Sequence, residues 1–288
     1  MSAALAGLTI IAGIVILHSI LIAPRQLRTV NVDVELPNLA VAFDGYSIAV
    51  IADIHHWAPG TRTLRRLVAM TNGADPDLIV LLGDYGISFE HRPKWSAMAY
   101  RRALPALSDA IRSLRARDGC IAVLGNHDHY YDAGHVADWL RLLGVRVLIN
   151  DHTVLRRDGA VLVIGGVGDA YEDRVDPRGG AGLQPPGTPI IVLSHNPDGV
   201  PMLRTDAGIG LVLAGHTHGG QIIIPGYGAL TTHTRICGHK TPSGWIPNDV
   251  APLYVTRGIG VQVPVRFRCP PELTVVRLRA PASHQHPV

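Results

Sequence analysis

Five short apolar segments, each followed at once by a polar cluster, constrain the fold of this chain more than any other feature. Each is four to seven residues long, which is typical of strands buried on both faces. The five segments are Tyr46–Ala52, Asp77–Leu82, Cys120–Leu124, Ile190–Leu193 and Ile209–Leu213. Because helical patterns alternate with the first of these strands, the sequence predicts an α/β sandwich.

The helical patterns fall at residues 61–72, 95–117 and 136–143, and Pro105 is expected to kink or split the second of them. A further strand is predicted at Thr29–Leu36, where apolar and polar residues alternate. Asp158-Gly159 lies between two apolar segments and predicts a hairpin. Tyr171–Thr188, rich in glycine, proline and charge, is expected to be a loop.

The polar clusters supply aspartate, asparagine and histidine from five separate strand ends. They are Asp53-Ile54-His55, Gly83-Asp84, Gly125-Asn126-His127-Asp128, Ser194-His195-Asn196 and Gly215-His216-Thr217-His218. Loops at the carboxyl ends of strands in an α/β sheet converge on one site. Carboxylates, imidazoles and an amide oxygen are ligands of first-row transition metals.

Seven such donors exceed the four that one tetrahedral metal ion takes, so they suit two ions that share a carboxylate. Asp53 and His55 are two residues apart, as are His216 and His218. In an extended segment both members of each pair point to the same side.

Each residue taken alone has a simpler interpretation. Asp84 could cap a helix, Asn126 could occupy a left-handed turn, and His195 could be an ordinary buried histidine. Together these readings fail, because seven polar groups at buried strand ends are costly without a cation.

The five clusters, in this order, resemble the five sequence blocks of the calcineurin-like metallophosphoesterase superfamily. The resemblance spans about residues 46–276. The segments 256–260 and 264–273 are similar to one branch, the bacterial membrane-associated predicted phosphohydrolases. That branch includes a phosphodiesterase and a pyrophosphatase that acts on a lipid A precursor.

The resemblance implies a four-layer α/β/β/α sandwich and two divalent metal ions. One ion would be bound by Asp53, His55 and His218, and the other by Asn126, His195 and His216, with Asp84 bridging the two. A hydroxide between the ions would attack phosphorus in line. The mixed oxygen and nitrogen donors favour Mn²⁺, with Fe or Zn²⁺ as alternatives.

By the same resemblance, His127 would lie outside the metal shell and stabilise the phosphoryl oxygens or protonate the leaving group. Asp128 would orient His127 through a carboxylate–imidazole hydrogen bond. The chain departs from many relatives at His56 and Trp57, and Tyr85-Gly86 follows the Gly-Asp block without a second aspartate. These departures affect the mouth of the site and remove no ligand.

Three residues are candidates for substrate binding, namely His129, Arg257 and Arg266. The arginines, together with Arg268, could bind phosphate as planar forks, or they could be solvated strand residues. His129 directly follows the third polar cluster and could contact substrate.

The amino terminus predicts a membrane anchor. No Asp, Glu, Lys or Arg occurs from Ser2 to Ala23, and this apolar segment is long enough to cross a bilayer. A cleaved signal peptide is the alternative, but no basic residue precedes the segment, whereas Arg25 and Arg28 follow it. By the positive-inside rule these arginines predict a single-pass protein of the cell membrane with a cytoplasmic catalytic domain.

The expected organisation is an anchor at 1–24, a phosphoesterase domain at 25–280 and a disordered tail at 281–288. A formal net charge of +3 gives no sign of a nucleic-acid partner. Three scattered cysteines form no disulfide framework and fit a reducing compartment. The oligomeric state stays open.

The leading functional hypothesis is a phosphoesterase that hydrolyses a phosphodiester, phosphomonoester or pyrophosphate bond, with a lipid-linked substrate favoured by the anchor. The alternative is a catalytically silent scaffold or binding module of the same fold. A scaffold has no need of all seven donors and His127, so their presence favours catalysis.

Overall fold

The computed structural model describes residues 3–56, 61–182, 184–203 and 208–282. Its α-helices are α1 Ala3–Leu17, α2 Arg62–Gly73, α3 Pro93–Arg112, α4 Asn126–Tyr131, α5 Ala133–Leu142 and α6 Pro177–Ala181. Its first seven strands are β1 Arg28–Glu35, β2 Ser47–Ile51, β3 Leu78–Leu81, β4 Cys120–Ala122, β5 Arg146–Val147, β6 Asp151–Arg157 and β7 Ala160–Gly166. The others are β8 Ile190–Ser194, β9 Ile209–Ala214, β10 Ile223–Ile224, β11 Gly228–Ala229, β12 Gly244–Ile246, β13 Leu253–Val255 and β14 Glu272–Arg279.

Two six-stranded sheets pack face to face. The first has the order β1-β14-β2-β3-β4-β5, and the second has the order β12-β13-β9-β8-β7-β6. The central strands of each sheet run parallel, β2 to β5 in the first and β13, β9, β8 and β7 in the second. Alternate side chains such as Ile48, Val80, Leu193 and Leu211 meet between the sheets in one apolar core. The parallel arrangement brings the carboxyl ends of these strands to one edge of the sandwich.

The outer faces of the two sheets are covered unequally. Helices α2, α3 and α5 pack on the first sheet through Leu67, Leu107 and Leu140, among others. The second sheet is covered by the short α6, a 3₁₀ turn at Pro197–Met202 and loops. The predicted four-layer α/β/β/α fold is therefore confirmed, with a thin fourth layer.

The helix predicted at residues 95–117, where Pro105 was expected to cause a kink or split, is not split. It is one continuous helix, α3, and Pro105 lies inside it on the exposed face. Proline removes one intrahelical hydrogen bond, but water can reach the unpaired carbonyl on that side, so the helix continues.

The predicted hairpin is confirmed as the antiparallel pair β6 and β7. Asp158 and Gly159 both have positive φ, 48° and 79°, as a two-residue type I′ turn requires. The segment predicted as a loop at 171–188 contains α6, whose amino end Asp176 caps by accepting a hydrogen bond from the Arg178 amide.

Strands β12 to β14 were not predicted. Strand β14 lies between β1 and β2, parallel to the first and antiparallel to the second. Its sequence, ELTVVRLR, has the β-branched content of a strand, but only pairing with residues far away in the chain defines its place.

The amino-terminal helix has three parts, α1, a π-helical turn at His18–Ile22 and a 3₁₀ turn at Ala23–Arg25. Residues Leu5–Arg25 are long and apolar enough to cross a membrane, and side chains such as Leu8 and Ile11 are exposed. Residues 283–288 of the predicted tail, and Trp57, lie outside the described residues.

Candidate metal centre

The seven predicted ligands come together at the carboxyl ends of β2, β3, β4, β8 and β9. None is more than 9% exposed, and Asp53 and His195 are fully buried. The strands are buried on both faces and have no place for such polar side chains. The polar residues therefore lie in the loops that directly follow the strands, at the carboxyl edge of the sheets. The structure thus brings these seven side chains together at one edge of the sandwich.

The backbone of the ligand loops is not extended, contrary to the reasoning that placed residues two apart on one side of an extended segment. Positive φ values occur at five of the ligands, namely Asp53 (53°), His55 (42°), Asp84 (58°), His216 (70°) and His218 (51°). Such left-handed conformations cost on the order of 1 kcal/mol or more per residue and concentrate at functional sites. The left-handed turns direct both side chains of each i, i+2 pair toward the site. The alternation of side chains along an extended strand is not the cause.

Asp84 lies midway between the two groups of ligands. Its Oδ2 atom is 3.4 Å from Nε2 of His55 and 3.4 Å from Nε2 of His195. On one side, donor atoms of Asp53, His55 and His218 lie within 4.8 Å of one another, and on the other those of Asp84, His195 and His216 do so. One carboxylate oxygen thus lies close to both groups of candidate ligands.

Asn126 completes the second group. Its Oδ1 atom is 3.2 Å from Nε2 of His195 and 3.1 Å from Nδ1 of His216. The other ring nitrogens face backbone carbonyls, Leu82 at 2.6 Å from His195 and His233 at 3.1 Å from His216. A ring N–H held by a carbonyl leaves the opposite nitrogen free as an acceptor, as in metal sites.

Burial sets the protonation of most of these imidazoles. It lowers the pKa of His55 and of His216 to about 3, and that of His218 well below its ordinary value. Neutral imidazole is the form that binds a metal ion. These three histidines are therefore ready ligands near neutral pH.

The pKa values of Asp53, Asp84 and His195 depend on one another, because these three groups are buried close together. Burial alone would raise the pKa of Asp84, but the imidazoles of His195, His127 and His55 lower it further, so this carboxylate is ionised. Burial raises the pKa of Asp53 to about 7. Burial lowers the pKa of His195, yet Asp84 and Asp53 raise it well above its ordinary value, so a proton and a cation compete for this ring.

The donor set fits divalent cations. Both ring nitrogens of His55 and Nδ1 of His218 are buried without a hydrogen-bond partner. Among the described residues, no lysine or arginine forms an ion pair with Asp53 or Asp84. Buried donors without partners are costly, and a cation is what satisfies them all.

Gly125 allows the loops to approach closely. A Cβ atom there would lie 2.3 Å from Oδ1 of Asp84 and 2.7 Å from the His195 ring. Its φ of −111° is open to any residue, so the need for glycine at this position is purely steric.

His127 lies beside the ligands with one ring nitrogen directed elsewhere. Its Nδ1 is 2.9 Å from the carbonyl of Ser88, and its backbone amide donates to Oδ1 of Asp84 at 2.9 Å. A donor within 4.8 Å of both His55 and Asp84 also makes His127 a candidate ligand. The ring lines the adjacent cavity, so its free nitrogen is available to substrate oxygens.

Asp128 does not orient His127, which corrects the expectation from the resemblance. Its carboxylate accepts hydrogen bonds from the amides of Asp84 (2.8 Å), Tyr85 (3.1 Å) and Gly125 (2.8 Å), and from the Tyr100 hydroxyl. It joins two ligand loops to each other and acts on the site through their backbone.

A cavity of about 240 Å³ opens over the second ligand group. Besides Asp84, Asn126, His127, His216 and His218, its lining comprises Tyr130, Tyr171, Gln221, His233 and Gln262. No local sequence pattern indicated these five residues, because loops far apart in the chain bring them together. Asp169 was missed as well, although Gly168-Asp169 repeats the pattern of a polar cluster after an apolar strand.

None of the three predicted substrate-binding residues lines this cavity. His129 faces Asp173 at 3.1 Å, and Nε of Arg257 pairs with Glu272 at 3.2 Å. Arg266 is fully buried, and its guanidinium donates to backbone carbonyls that include those of His218 (3.1 Å) and Gly260 (2.7 Å). The structure does not bring Arg266 to the cavity, because this residue is buried and its two terminal nitrogens donate to backbone carbonyls, one of them in the loop of His218.

Comparisons with known proteins agree with this site. The family model described as Calcineurin-like phosphoesterase matches residues 46–220. The phosphodiesterase YaeI of Escherichia coli is 29% identical, over 81% of this chain and 82% of its own. The UDP-2,3-diacylglucosamine pyrophosphatase LpxG of Chlamydia muridarum is 25% identical, over 88% of this chain and 90% of its own.

A third relative, the "Transmembrane protein with metallophosphoesterase domain" of Danio rerio, is 27% identical over 94% of this chain. This chain covers 61% of that longer protein. The family match extends over more than half of the residues and includes all seven proposed ligands. The chain belongs to the calcineurin-like phosphoesterase family, a family of metal-dependent hydrolases.

Proposed function

We propose that this protein is a dinuclear metallophosphoesterase that hydrolyses a phosphodiester or pyrophosphate bond at the centre around Asp84. The single observation that carries the proposal is the position of Asp84 Oδ2, at 3.4 Å from an imidazole of each ligand group. Asp53, His55 and His218 would hold one ion, and Asn126, His195 and His216 the other, with Asp84 common to both. Mn²⁺ is the first candidate, and Fe and Zn²⁺ are the alternatives.

Two bound divalent ions supply Lewis-acid charge and a water molecule whose pKa is low enough for attack near neutral pH. The residues of this chain hold and orient the reactants. His127, fixed through Nδ1 to the Ser88 carbonyl, presents Nε2 to the phosphoryl oxygens or to the leaving oxygen. Tyr130 and Gln262 line the cavity where the ester would lie and can donate hydrogen bonds to it.

We also propose that the substrate is linked to a membrane lipid and that the chain is anchored by Leu5–Arg25. The helix is long enough to span, and Arg25 and Arg28 at its carboxyl end favour a cytoplasmic phosphoesterase domain at residues 25–280. Two relatives support this choice by name, one a transmembrane protein and one a pyrophosphatase of a diacylated sugar nucleotide.

The test is metal reconstitution of the full chain in detergent or vesicles. After chelation, activity toward bis(p-nitrophenyl) phosphate should be lost, and Mn²⁺, Fe²⁺ or Zn²⁺ should restore it. A panel of vesicle-embedded lipid phosphodiesters and pyrophosphates, set against soluble nucleotides, should show preference for the lipids. Absence of hydrolysis with every metal would leave the scaffold alternative, and faster turnover of a nucleotide would contradict the lipid substrate.

Topology needs a separate measurement. A reporter fused at residue 30, or labelling of an introduced cysteine, should place the domain in the cytoplasm. A domain found on the other side of the membrane would contradict the orientation.

A further inference from the structure

A second cavity lies between the amino-terminal helix and the catalytic domain. Its volume is about 210 Å³, and it opens to solvent along the carboxyl end of the helix. Its walls include the apolar residues Ile20, Pro24, Ile54, Ile259, Val261 and Pro264, and the polar residues Arg25, His56, Thr63 and Arg266 also line it. We refer to it as the junction groove.

The catalytic domain contacts this helix well inside the apolar segment. The backbone amide of Arg266 donates to the carbonyl of Ser19 at 2.9 Å. That carbonyl is available because the Ala23 amide donates to His18 in a π-helical turn, and Pro24 has no amide hydrogen. The carboxyl end of the helix therefore has a free carbonyl group, which accepts the hydrogen bond from the phosphoesterase domain.

This contact determines how deep the groove lies relative to the membrane surface. Ser19 lies six residues before Arg25, about 9 Å along a helix at ~1.5 Å per residue. Where the helix spans a bilayer with Arg25 at the surface, the segment 261–266 lies at the depth of the headgroups and first methylenes. The groove then opens toward acyl chains rather than toward water.

Exposed apolar residues near segment 261–266 are of the types found on membrane-contacting surfaces. Val263 is 61% exposed, and its neighbour Gln262 donates to the Ser88 carbonyl at 3.1 Å, which brings Phe89 close. Phe89 is 38% exposed, and Trp95, in the first turn of α3, is 58% exposed. The Phe89 amide donates to the hydroxyl of Ser96 in that same helical turn, which holds the two side chains on neighbouring segments. Exposed tryptophan and phenylalanine are enriched where proteins meet the bilayer interface.

The inner end of the groove reaches the loop that carries His55. His55, a proposed ligand whose Nε2 lies 3.4 Å from Asp84, forms part of its wall. A chain in the groove would thus begin at the bilayer and end at the loop of this proposed ligand, whose imidazole ring is itself buried. The substrate cavity lies on the other side of the segment that carries Gln262.

We propose that the junction groove binds an acyl chain of the lipid substrate while its phosphate lies at the metal centre. The inference rests on the proposed function and deepens it, because it assigns a site for the apolar part of the substrate. The occupant is the substrate's own chain; a bulk lipid chain is an outcome that the test distinguishes.

The test uses the full chain in vesicles of phosphatidylcholine and phosphatidylglycerol, doped with a phosphatidylcholine that carries a diazirine on one acyl chain. Photolysis and mass spectrometry should place cross-links on groove residues such as Val261 and Pro264. Thr63→Trp, which fills the groove from α2, should remove them. Ala69→Trp, on an exposed site of the same helix outside the groove, should leave them unchanged. Cross-links confined to residues 5–17, or cross-links that Thr63→Trp leaves unchanged, would contradict the proposal that the groove binds an acyl chain.

Kinetic measurements distinguish an acyl chain of the substrate from a chain of a bulk lipid as the occupant of the groove. Thr63→Trp should raise KM for a vesicle lipid phosphodiester at least about tenfold, the factor for about two methylenes that lose their apolar contact. The KM for bis(p-nitrophenyl) phosphate and the metal content should not change. Ile20→Trp, from the opposite wall, should reproduce the effect if Thr63→Trp fails to fold.

Groove cross-links without this split in KM would overturn the assignment to the substrate. Failure of the unmodified chain to hydrolyse any ester would refute the proposed function instead. The cross-linking would still decide whether the groove binds an acyl chain.

Discussion

Two polar clusters lie at opposite ends of the same strands, and they differ in how their charges are compensated. At the carboxyl ends, Asp53 and Asp84 are buried among histidines and have no arginine or lysine partner in the described residues. At the amino ends, Asp77 and Asp118 precede β3 and β4 and meet arginines.

The amino-end cluster is complete by itself. Arg157 lies 3.2 Å from Asp77 and 3.7 Å from Asp118, and its guanidinium lies over the ring of Tyr46 at 4.9 Å. The Tyr46 hydroxyl donates to Asp118 at 2.6 Å, and Asp77 accepts from the Ser47 amide. Every charge here has a partner within the protein.

The difference shows how to tell a structural cluster from a functional one. Both ends hold buried or half-buried carboxylates on the same scaffold. Only in the carboxyl-end cluster are the carboxylate residues themselves left-handed, at Asp53 and Asp84, and accompanied by buried ring nitrogens without partners. Strain and unsatisfied donors persist only where another requirement maintains them. Substitutions at the two ends should therefore affect different properties.

The largest effect is expected for Asp84→Asn. Loss of the shared carboxylate should lower bound metal and reduce kcat by on the order of a thousandfold or more, since two-metal activation contributes several kcal/mol. The matched control is Asp77→Asn, which should keep full activity and lower the free energy of unfolding by about 1 kcal/mol. Metal analysis beside kinetics checks both. Two full equivalents in Asp84→Asn would refute the bridging role.

His127→Ala should lower kcat by about 10²–10⁴-fold with both metals retained, because it removes a proton donor or oxyanion partner and no ligand. His129→Ala is the control, since its ring faces Asp173 outside the cavity, and its kcat should stay near that of the unmodified chain. Loss of metal from His127→Ala would instead make His127 a ligand.

Gly125→Ala should reduce metal content and lower activity by about a hundredfold, the usual cost of moving a catalytic group by about 1 Å. The added Cβ would meet Asp84 Oδ1 at 2.3 Å, so the bridging carboxylate must shift. At Gly134 the nearest contact is 3.5 Å, and Gly134→Ala should be neutral. Unchanged metal affinity in Gly125→Ala would contradict the close packing of these loops.

The smallest effect on activity is expected for Arg157→Met at the amino-end cluster. Unfolding free energy should fall by about 1–2 kcal/mol from lost ion pairs and cation–π contact, with metal content and kcat unaltered. Denaturant titration measures the free energy of unfolding, and metal analysis with kinetics measures the metal content and kcat. Loss of metal in this variant would show that the two ends are coupled and would break the distinction between them.

The seven proposed ligands could be selected from the sequence because their signal is local. A short apolar strand followed at once by Asp, Asn or His, as at Asp84 and His195, reports both the strand end and the donor. The strand bounds of β2, β3 and β9 agree with the prediction within one residue at each end.

What could not be predicted depends on contacts between distant parts of the chain. Arg266 looks like a phosphate ligand in sequence, but its guanidinium is used by carbonyls of the 218 and 260 loops. Asp128 follows His127 directly, yet its oxygens face the amides of the Asp84 loop. Such roles follow from tertiary packing, which no local pattern encodes.

The central claim is that two cations share Asp84, and anomalous diffraction from crystals grown with Mn²⁺ tests it most directly. The account predicts two peaks per chain, one beside Asp53, His55 and His218 and one beside Asn126, His195 and His216, with Asp84 between them. A single peak in an active, metal-saturated enzyme, or two peaks that do not share Asp84, would contradict it.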